Sequence, residues 1–99
     1  MIVLLNRFTV HGDPETFEEV FAAVSDYMSD RPGFLAHRLV REAGDGAAYV
    51  NIAEWESLEL LRRAVRSPEF EVHEDALAAL ATSGPVLHEV VLDRTAVAA

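Results

Sequence analysis

Two asparagines and a tryptophan stand in segments that otherwise have the composition of buried β-strands. Asn6 lies within "IVLLNRFTV", whereas Asn51 and Trp55 both belong to "YVNIAEW". Asparagine is disfavoured inside strands, and a buried amide without a hydrogen-bond partner costs about 1–3 kcal/mol. We therefore expect each amide to be paired, either with another group of the protein or with a ligand.

The spacing of these residues predicts that they share one face of a sheet. Side chains alternate between the two faces of a strand, which places Asn6 with Phe8 and places Asn51 with Tyr49 and Trp55. Amides and an indole among aromatic rings are typical of a pocket for a small flat molecule. For any one of these residues alone, we favour the simpler alternative of an amide bonded to the backbone or a core tryptophan.

The other reactive side chains do not form a site of a different familiar kind. The chain has no cysteine and four histidines, and no two histidines have the i, i+4 spacing of helical metal ligands. No serine stands at a nucleophile elbow, and no glycine-rich loop follows a strand to hold phosphate. The sequence therefore predicts no metal and no cofactor. We retain two histidines, His37 and His73, as substrate-binding candidates beside Phe8, Tyr49 and Asn51.

The periodicity of apolar residues predicts the order strand, helix, strand, strand, helix, strand. The expected strands are Ile2–Val10, Phe34–Glu42, Ala47–Trp55 and Val86–Asp93. The first helix starts at Pro14 with Asp13 as its N-cap. The second helical region starts at Ser57, is broken at Ser67-Pro68, and stops at "TSGP".

This order is that of a ferredoxin-like α+β fold, with both helical regions on one face of an antiparallel sheet. Residues 1–95 are expected to form one domain, followed by a tail at 96–99. The opposite face of the sheet carries Val3, Leu5, Val50 and Ile52, and a large apolar face is rarely left exposed in a monomer. We expect a second copy of the chain to cover it in a homodimer.

Charge and hydrophobicity exclude several classes of partner. The formal net charge of −9 argues against binding to nucleic acid or to an anionic membrane. No apolar run approaches the ~20 residues needed to span a membrane, and no signal peptide is recognised at the start. The sequence predicts a cytoplasmic protein.

Four stretches resemble the antibiotic biosynthesis monooxygenase family of dimeric α+β barrels: "LLNRFTVHGDPETFEEVF", "RPGFLAHRLVR", "YVNIAEWES" and "SPEF". Within that family the chain is similar to cofactor-independent oxygenases that convert anthrones to anthraquinones with O₂. The resemblance implies that Asn6 and Trp55 are catalytic, that Asn51 lies in the pocket, and that the substrate is an aromatic polyketide. The chain departs from some members, which have a tyrosine near Leu60 and Leu61 and a histidine in place of Arg41.

Three alternatives remain open from the sequence. The same pocket would serve an accessory or cyclase-like protein that binds a polyketide without oxidising it. Heme-degrading monooxygenases share the fold and an asparagine matching Asn6, but His73 is about one residue from their iron-ligand position and Ala64 replaces their tryptophan. A purely structural dimer ranks last, because it gives Asn6 and Asn51 no role.

Overall fold

A computed structural model describes residues 1–98 of the chain. The elements in chain order are β1 (Ile2–Val10), α1 (Pro14–Met28), β2 (Phe34–Arg41), β3 (Ala48–Trp55), α2 (Leu58–Val65), α3 (Pro68–Ala78) and β4 (Ala81–Glu89). The strands form one sheet in the order β2-β3-β1-β4, and each neighbouring pair is antiparallel. The predicted ferredoxin-like fold is confirmed, and the expected break at Ser67-Pro68 separates α2 from α3.

Helix α1 begins at the predicted residue because its first turn is capped by a side chain. Asp13 Oδ2 accepts a hydrogen bond from the backbone N–H of Thr16 at 3.1 Å, and Pro14 follows the cap directly. The helix buries Phe17, Phe21 and Val24. These residues recur at helical spacing, so one stripe of α1 faces the sheet.

Two apolar clusters join the helices to the sheet. The larger one surrounds Phe8 and Phe17, whose ring centroids are 5.3 Å apart. The smaller one consists of Ala53, Trp55, Leu61 and Ala64 and attaches α2 to β3. Met28 packs against both clusters. The region where the two clusters meet is therefore lined by apolar side chains.

A bulge near the start of β2 sets which of its residues face the helices. Phe34 pairs with Trp55, but Ala36 already pairs with Glu54, so Leu35 is an extra residue in the ladder. Phe34 and His37 consequently both face the helices, although simple alternation would separate them. Leu39 also packs on the helix side.

The predicted bounds of the last strand are wrong. The sequence predicted Val86–Asp93, whereas β4 runs from Ala81 to Glu89 and includes the Gly84-Pro85 pair. Because β4 is an edge strand, one side of its backbone has no neighbour within the described chain, and a proline without an N–H is tolerated there. The predicted ends of β2 and β3 differ from the structure by one residue.

The sheet face opposite the helices carries the expected apolar residues, together with the charged residues Arg7, Arg38 and Glu54. In the strand register Leu5 lies between Ile52 of β3 and Val86 of β4, and Val86 is 56% exposed. Among residues 1–98, no helix is both long and apolar enough to cross a membrane. The predicted domain end at residue 95 stays a prediction, and Ala99 of the predicted tail lies outside the described residues.

Candidate active site

A cleft lies between the helix-side face of the sheet and helices α1 and α3. It holds about 530 Å³ of empty space, a volume that includes its open mouth. Its wall is mainly apolar and contains members of both core clusters, including Phe8, Phe21 and Trp55. The polar side chains in this wall are Asn6, Ser25, His37 and Asn51. A mostly apolar cleft with a few convergent polar groups is the usual form of a small-molecule site.

The two asparagines are direct neighbours across β1 and β3. Asn6 and Asn51 are register partners, and both line the cleft, as strand alternation predicted. Asn6 Oδ1 is fully buried, and it has no hydrogen-bond partner within residues 1–98. An unsatisfied buried acceptor costs about 1–3 kcal/mol. A ligand group that donates a hydrogen bond to this oxygen would recover that free energy.

Asn51, in contrast, is bonded within the protein. Its Oδ1 lies 3.2 Å from Nδ1 of His37 on β2. The other ring nitrogen of His37, Nε2, lies 2.5 Å from the hydroxyl oxygen of Ser25 on α1. Three side chains from three different elements are thereby linked along the wall of the cleft.

Trp55 belongs both to the core and to the cleft wall. Its side chain is 1% exposed and packs with Ala53, Leu61 and Ala64. The ring of Phe34 meets it edge to face, with centroids 5.4 Å apart and an interplanar angle of 89°. Such an arrangement fixes the plane of the indole, which gives a bound aromatic molecule a rigid surface to contact.

Tyr49 and His73 do not line this cleft. Tyr49 is buried beneath α1, and its hydroxyl donates to Glu18 Oε2 at 2.6 Å. Burial, followed by the hydrogen bond to Glu18, raises the pKa of the Tyr49 phenol above its ordinary value of 10.0. His73 on α3 lies against the ring of Tyr27, with centroids 5.3 Å apart.

Ser25 and Phe34 are among the members of the wall that the sequence did not predict as site residues. Ser25 lies four residues after Phe21 and three before Met28, within the apolar stripe of α1. A hydroxyl at that spacing predicts a polar group on the face of α1 that packs toward the sheet. Phe34 reaches the cleft side together with His37 because of the bulge, and strand alternation alone does not reveal a bulge.

Across residues 1–98, the acidic and histidine side chains form no group of three or more arranged to hold a metal ion.

Residues 1–76 match the antibiotic biosynthesis monooxygenase family. The chain belongs to this family. It is 46% identical over 82 residues to the deoxynogalonate monooxygenase of Streptomyces nogalater, a match that covers 83% of this chain and 70% of the relative. The predicted family and the predicted enzyme class, a monooxygenase, are thereby confirmed.

Solved structures of the family agree with this fold. The crystal structure of SnoaB, a cofactor-independent oxygenase from Streptomyces nogalater, superposes with a TM-score of 0.91 at 42% identity, covering 93% of this chain and 94% of that chain. A variant of MhuD with two manganese protoporphyrin IX molecules per active site has a TM-score of 0.78 at 26% identity, covering 97% and 100%. The chain is therefore similar both to an oxygenase described as cofactor-independent and to a porphyrin-binding protein.

Proposed function

We propose that the protein is a cofactor-independent oxygenase that converts an anthrone-type aromatic polyketide to a quinone with O₂. The observation that carries this proposal is the buried, unpaired oxygen of Asn6 in an apolar cleft beside Asn51 and Trp55. The likeness to SnoaB, a cofactor-independent oxygenase, supports an oxygenase that needs no cofactor. No cofactor is required in this proposal, because the substrate supplies the electrons.

The reaction balances without an external reductant. Loss of a proton from the anthrone methylene gives an electron-rich enolate, which transfers one electron to O₂. The resulting radical pair combines to form a peroxide at the methylene carbon. The peroxide anion takes up a proton, which balances the one lost in the first step. Loss of water from the hydroperoxide then leaves a carbonyl, so one oxygen atom enters the quinone and the other leaves as water.

The cleft supplies contacts for the substrate and for the charge that develops on oxygen. Asn6 binds the substrate or peroxide oxygen: its Oδ1 accepts from a hydroxyl, and its amide N–H donates to an oxyanion. Preorganised donors aimed at a developing oxyanion lower barriers by a few kcal/mol. Asn51 orients the ring system and Trp55 contacts its face or edge, while the apolar wall keeps water from the radical pair.

The direct test is oxygen consumption by metal-depleted protein with dithranol, an anthrone that also oxidises slowly by itself. The expected result is uptake well above the spontaneous rate, with one O₂ consumed for each carbonyl formed. Tight binding of dithranol without faster uptake would contradict the oxygenase proposal and support the accessory alternative.

Heme degradation is the second candidate, favoured by the likeness to MhuD. The placement of His73 weighs against it, because this histidine packs on Tyr27 rather than lining the cleft. Adding hemin to the protein tests this alternative. A shifted Soret band that is lost in His73→Ala would support heme binding; no shift is the result we expect.

The homodimer is also part of the proposal. The sheet face that carries Leu5 and Ile52 has an apolar centre and is not covered by any helix of the described chain. Pairing of two such faces would bury them. A cytoplasmic location stays a prediction from the sequence.

A further inference from the structure

Ser25, His37 and Asn51 form a hydrogen-bonded chain that uses both ring nitrogens of the histidine. Nε2 of His37 lies 2.5 Å from Ser25 Oγ, and Nδ1 lies 3.2 Å from Asn51 Oδ1. The imidazole is also held between the rings of Phe21 and Phe34, with centroid distances of 5.9 Å and 5.6 Å. The sequence assigned His37 to substrate binding, but here both of its polar atoms are engaged inside the protein.

The amide atom placed nearest Nδ1 is the oxygen of Asn51, which indicates a direction for this chain. An amide oxygen can only accept, so Nδ1 of His37 must carry the proton that is donated to Asn51. In a neutral imidazole Nε2 is then an acceptor, and the hydroxyl of Ser25 must be the donor. The chain therefore runs from the serine hydroxyl through the ring to the oxygen of Asn51.

The opposite direction is less favourable next to Asn6. This register partner of Asn51 already has a buried amide oxygen without a donor, and side chains at paired positions of neighbouring strands are close, about 4.5–5.5 Å apart at Cβ. Reversal would free a second amide oxygen on Asn51 and add to the negative potential there, whereas a free NH₂ group lowers it.

We propose that Ser25 and His37 are positioning residues, which hold Asn51 with its oxygen bonded and its NH₂ group free to donate into the cleft. The catalytic consequence rests on the proposed function: a donor in this position stabilises the negative charge that develops on an enolate or peroxide oxygen, and an amide oxygen would oppose it. The assignment of the histidine tautomer does not depend on that function.

The tautomer is tested first, by long-range ¹H–¹⁵N correlation NMR of His37 in the unliganded protein at a pH where the imidazole is neutral. The expected state is the Nδ1–H form. Asn51→Leu removes the amide oxygen that accepts from Nδ1, and should shift His37 toward the Nε2–H form, in which the ring donates to Ser25. Ser25→Ala leaves that oxygen in place and should retain the Nδ1–H form. An Nε2–H tautomer in the native protein, or no change in Asn51→Leu, would overturn the inference.

Kinetics of dithranol oxidation test the positioning role. His37→Asn keeps an amide donor near the position of Nδ1, whereas His37→Phe fills the same space with no donor. We expect His37→Phe to lower kcat about 10- to 100-fold, the scale of a mispositioned catalytic group, with KM changed much less. His37→Asn should restore kcat to within a few fold. Equal losses in the two variants, or a change confined to KM, would contradict positioning.

Failure of the inference can be told apart from failure of the proposed function. If the native protein does not accelerate dithranol oxidation, the oxygenase proposal fails, and the NMR tautomer still decides the inference. If oxidation is accelerated but His37 carries its proton on Nε2, the inference fails alone.

Discussion

At Asn6, the structure keeps a buried amide oxygen without a partner in the region where a ligand would bind. Asn6→Leu replaces this amide with an apolar side chain of similar shape. We expect the free energy of unfolding to rise by about 1 kcal/mol, while kcat for dithranol falls by about 100-fold. Urea denaturation and oxygen uptake measure the two effects. Parallel losses of stability and turnover would show that Asn6 is structural.

Tyr49 provides a pH-dependent prediction that is independent of catalysis. Its pKa is raised in the folded protein, first by burial and then by the bond to Glu18. The folded state therefore holds the phenol proton more tightly than the unfolded state. The stability from this group is complete below pH ~10, the ordinary tyrosine pKa, and is lost as the pH rises through the folded-state value.

Urea denaturation at several pH values between 8 and 12 measures this loss. Tyr49→Phe should be less stable than the native protein at the lower end of that range, by about 1 kcal/mol for the lost hydrogen bond. The difference should shrink toward the upper end. A constant difference across the range would contradict the assignment.

Single residues of the site were predictable to different degrees. Asn6, Asn51 and Trp55 followed from strand alternation, since the sheet has no bulge in β1 or β3 between them. Tyr49 lies on the predicted face of the sheet, but farther along the strand, where α1 covers it. Strand alternation predicts the face of a side chain and not its position relative to the helices. His73 could be placed only with the packing of α3 against Tyr27, which involves residues distant in the chain.

At the scale of elements, two glycines with nearly equal backbone angles allow a matched comparison. Gly33 has φ of +89° and Gly44 has φ of +86°, a region that L-residues rarely adopt. A Cβ at Gly33 would lie 2.6 Å from Leu60 of α2, whereas one at Gly44 would have no neighbour within 4 Å. Gly33 therefore marks the close contact between α2 and the turn before β2.

Gly44→Ala should destabilise the protein by about 1–2 kcal/mol, the cost of a left-handed conformation. Gly33→Ala should cost a further ~1–3 kcal/mol, because overpacking against Leu60 is added to the same backbone strain. Thermal or urea unfolding of the two variants gives the difference directly. Equal destabilisation would mean that α2 is free to move away from the turn.

The sequence predicted the order and type of the elements, but not the bulge in β2 or the start of β4. The capping residue Asp13 marked the start of α1, because its side chain accepts a bond from the first turn. The predicted break at Ser67-Pro68 marked the start of α3. The start of β4 was missed because Gly84-Pro85 has the composition of a turn, and only its edge position in the sheet makes a strand acceptable there.

At the scale of the whole molecule, the open sheet face leads to a prediction about assembly. Light scattering should give the native protein twice the mass of one chain. Ile52→Lys places a charge at the centre of this face and should give a single-chain mass, because an unpaired buried charge is costly. The control Val72→Lys changes a 69% exposed residue on α3 and should leave the dimer intact. A native protein of single-chain mass would refute the homodimer.

Family membership connects the three scales, because relatives share the fold that brings β1, β2, β3 and α1 together around the cleft. The sequence resemblance indicated the family from a few motifs, and the comparisons confirm it. The hydrogen-bonded chain from Ser25 to Asn51 was not predictable, because it depends on the bulge that turns His37 toward α1.

We propose that oxidation takes place in the cleft beside Asn6 and Trp55. The most direct test compares dithranol-dependent oxygen uptake by four metal-depleted proteins: the native chain, Asn6→Ala, Trp55→Phe and the surface control Val72→Ala. We predict uptake well above the spontaneous rate for the native chain and the control, and near-spontaneous rates for the two cleft variants. Native uptake that persists in Asn6→Ala and Trp55→Phe would contradict this location of the active site.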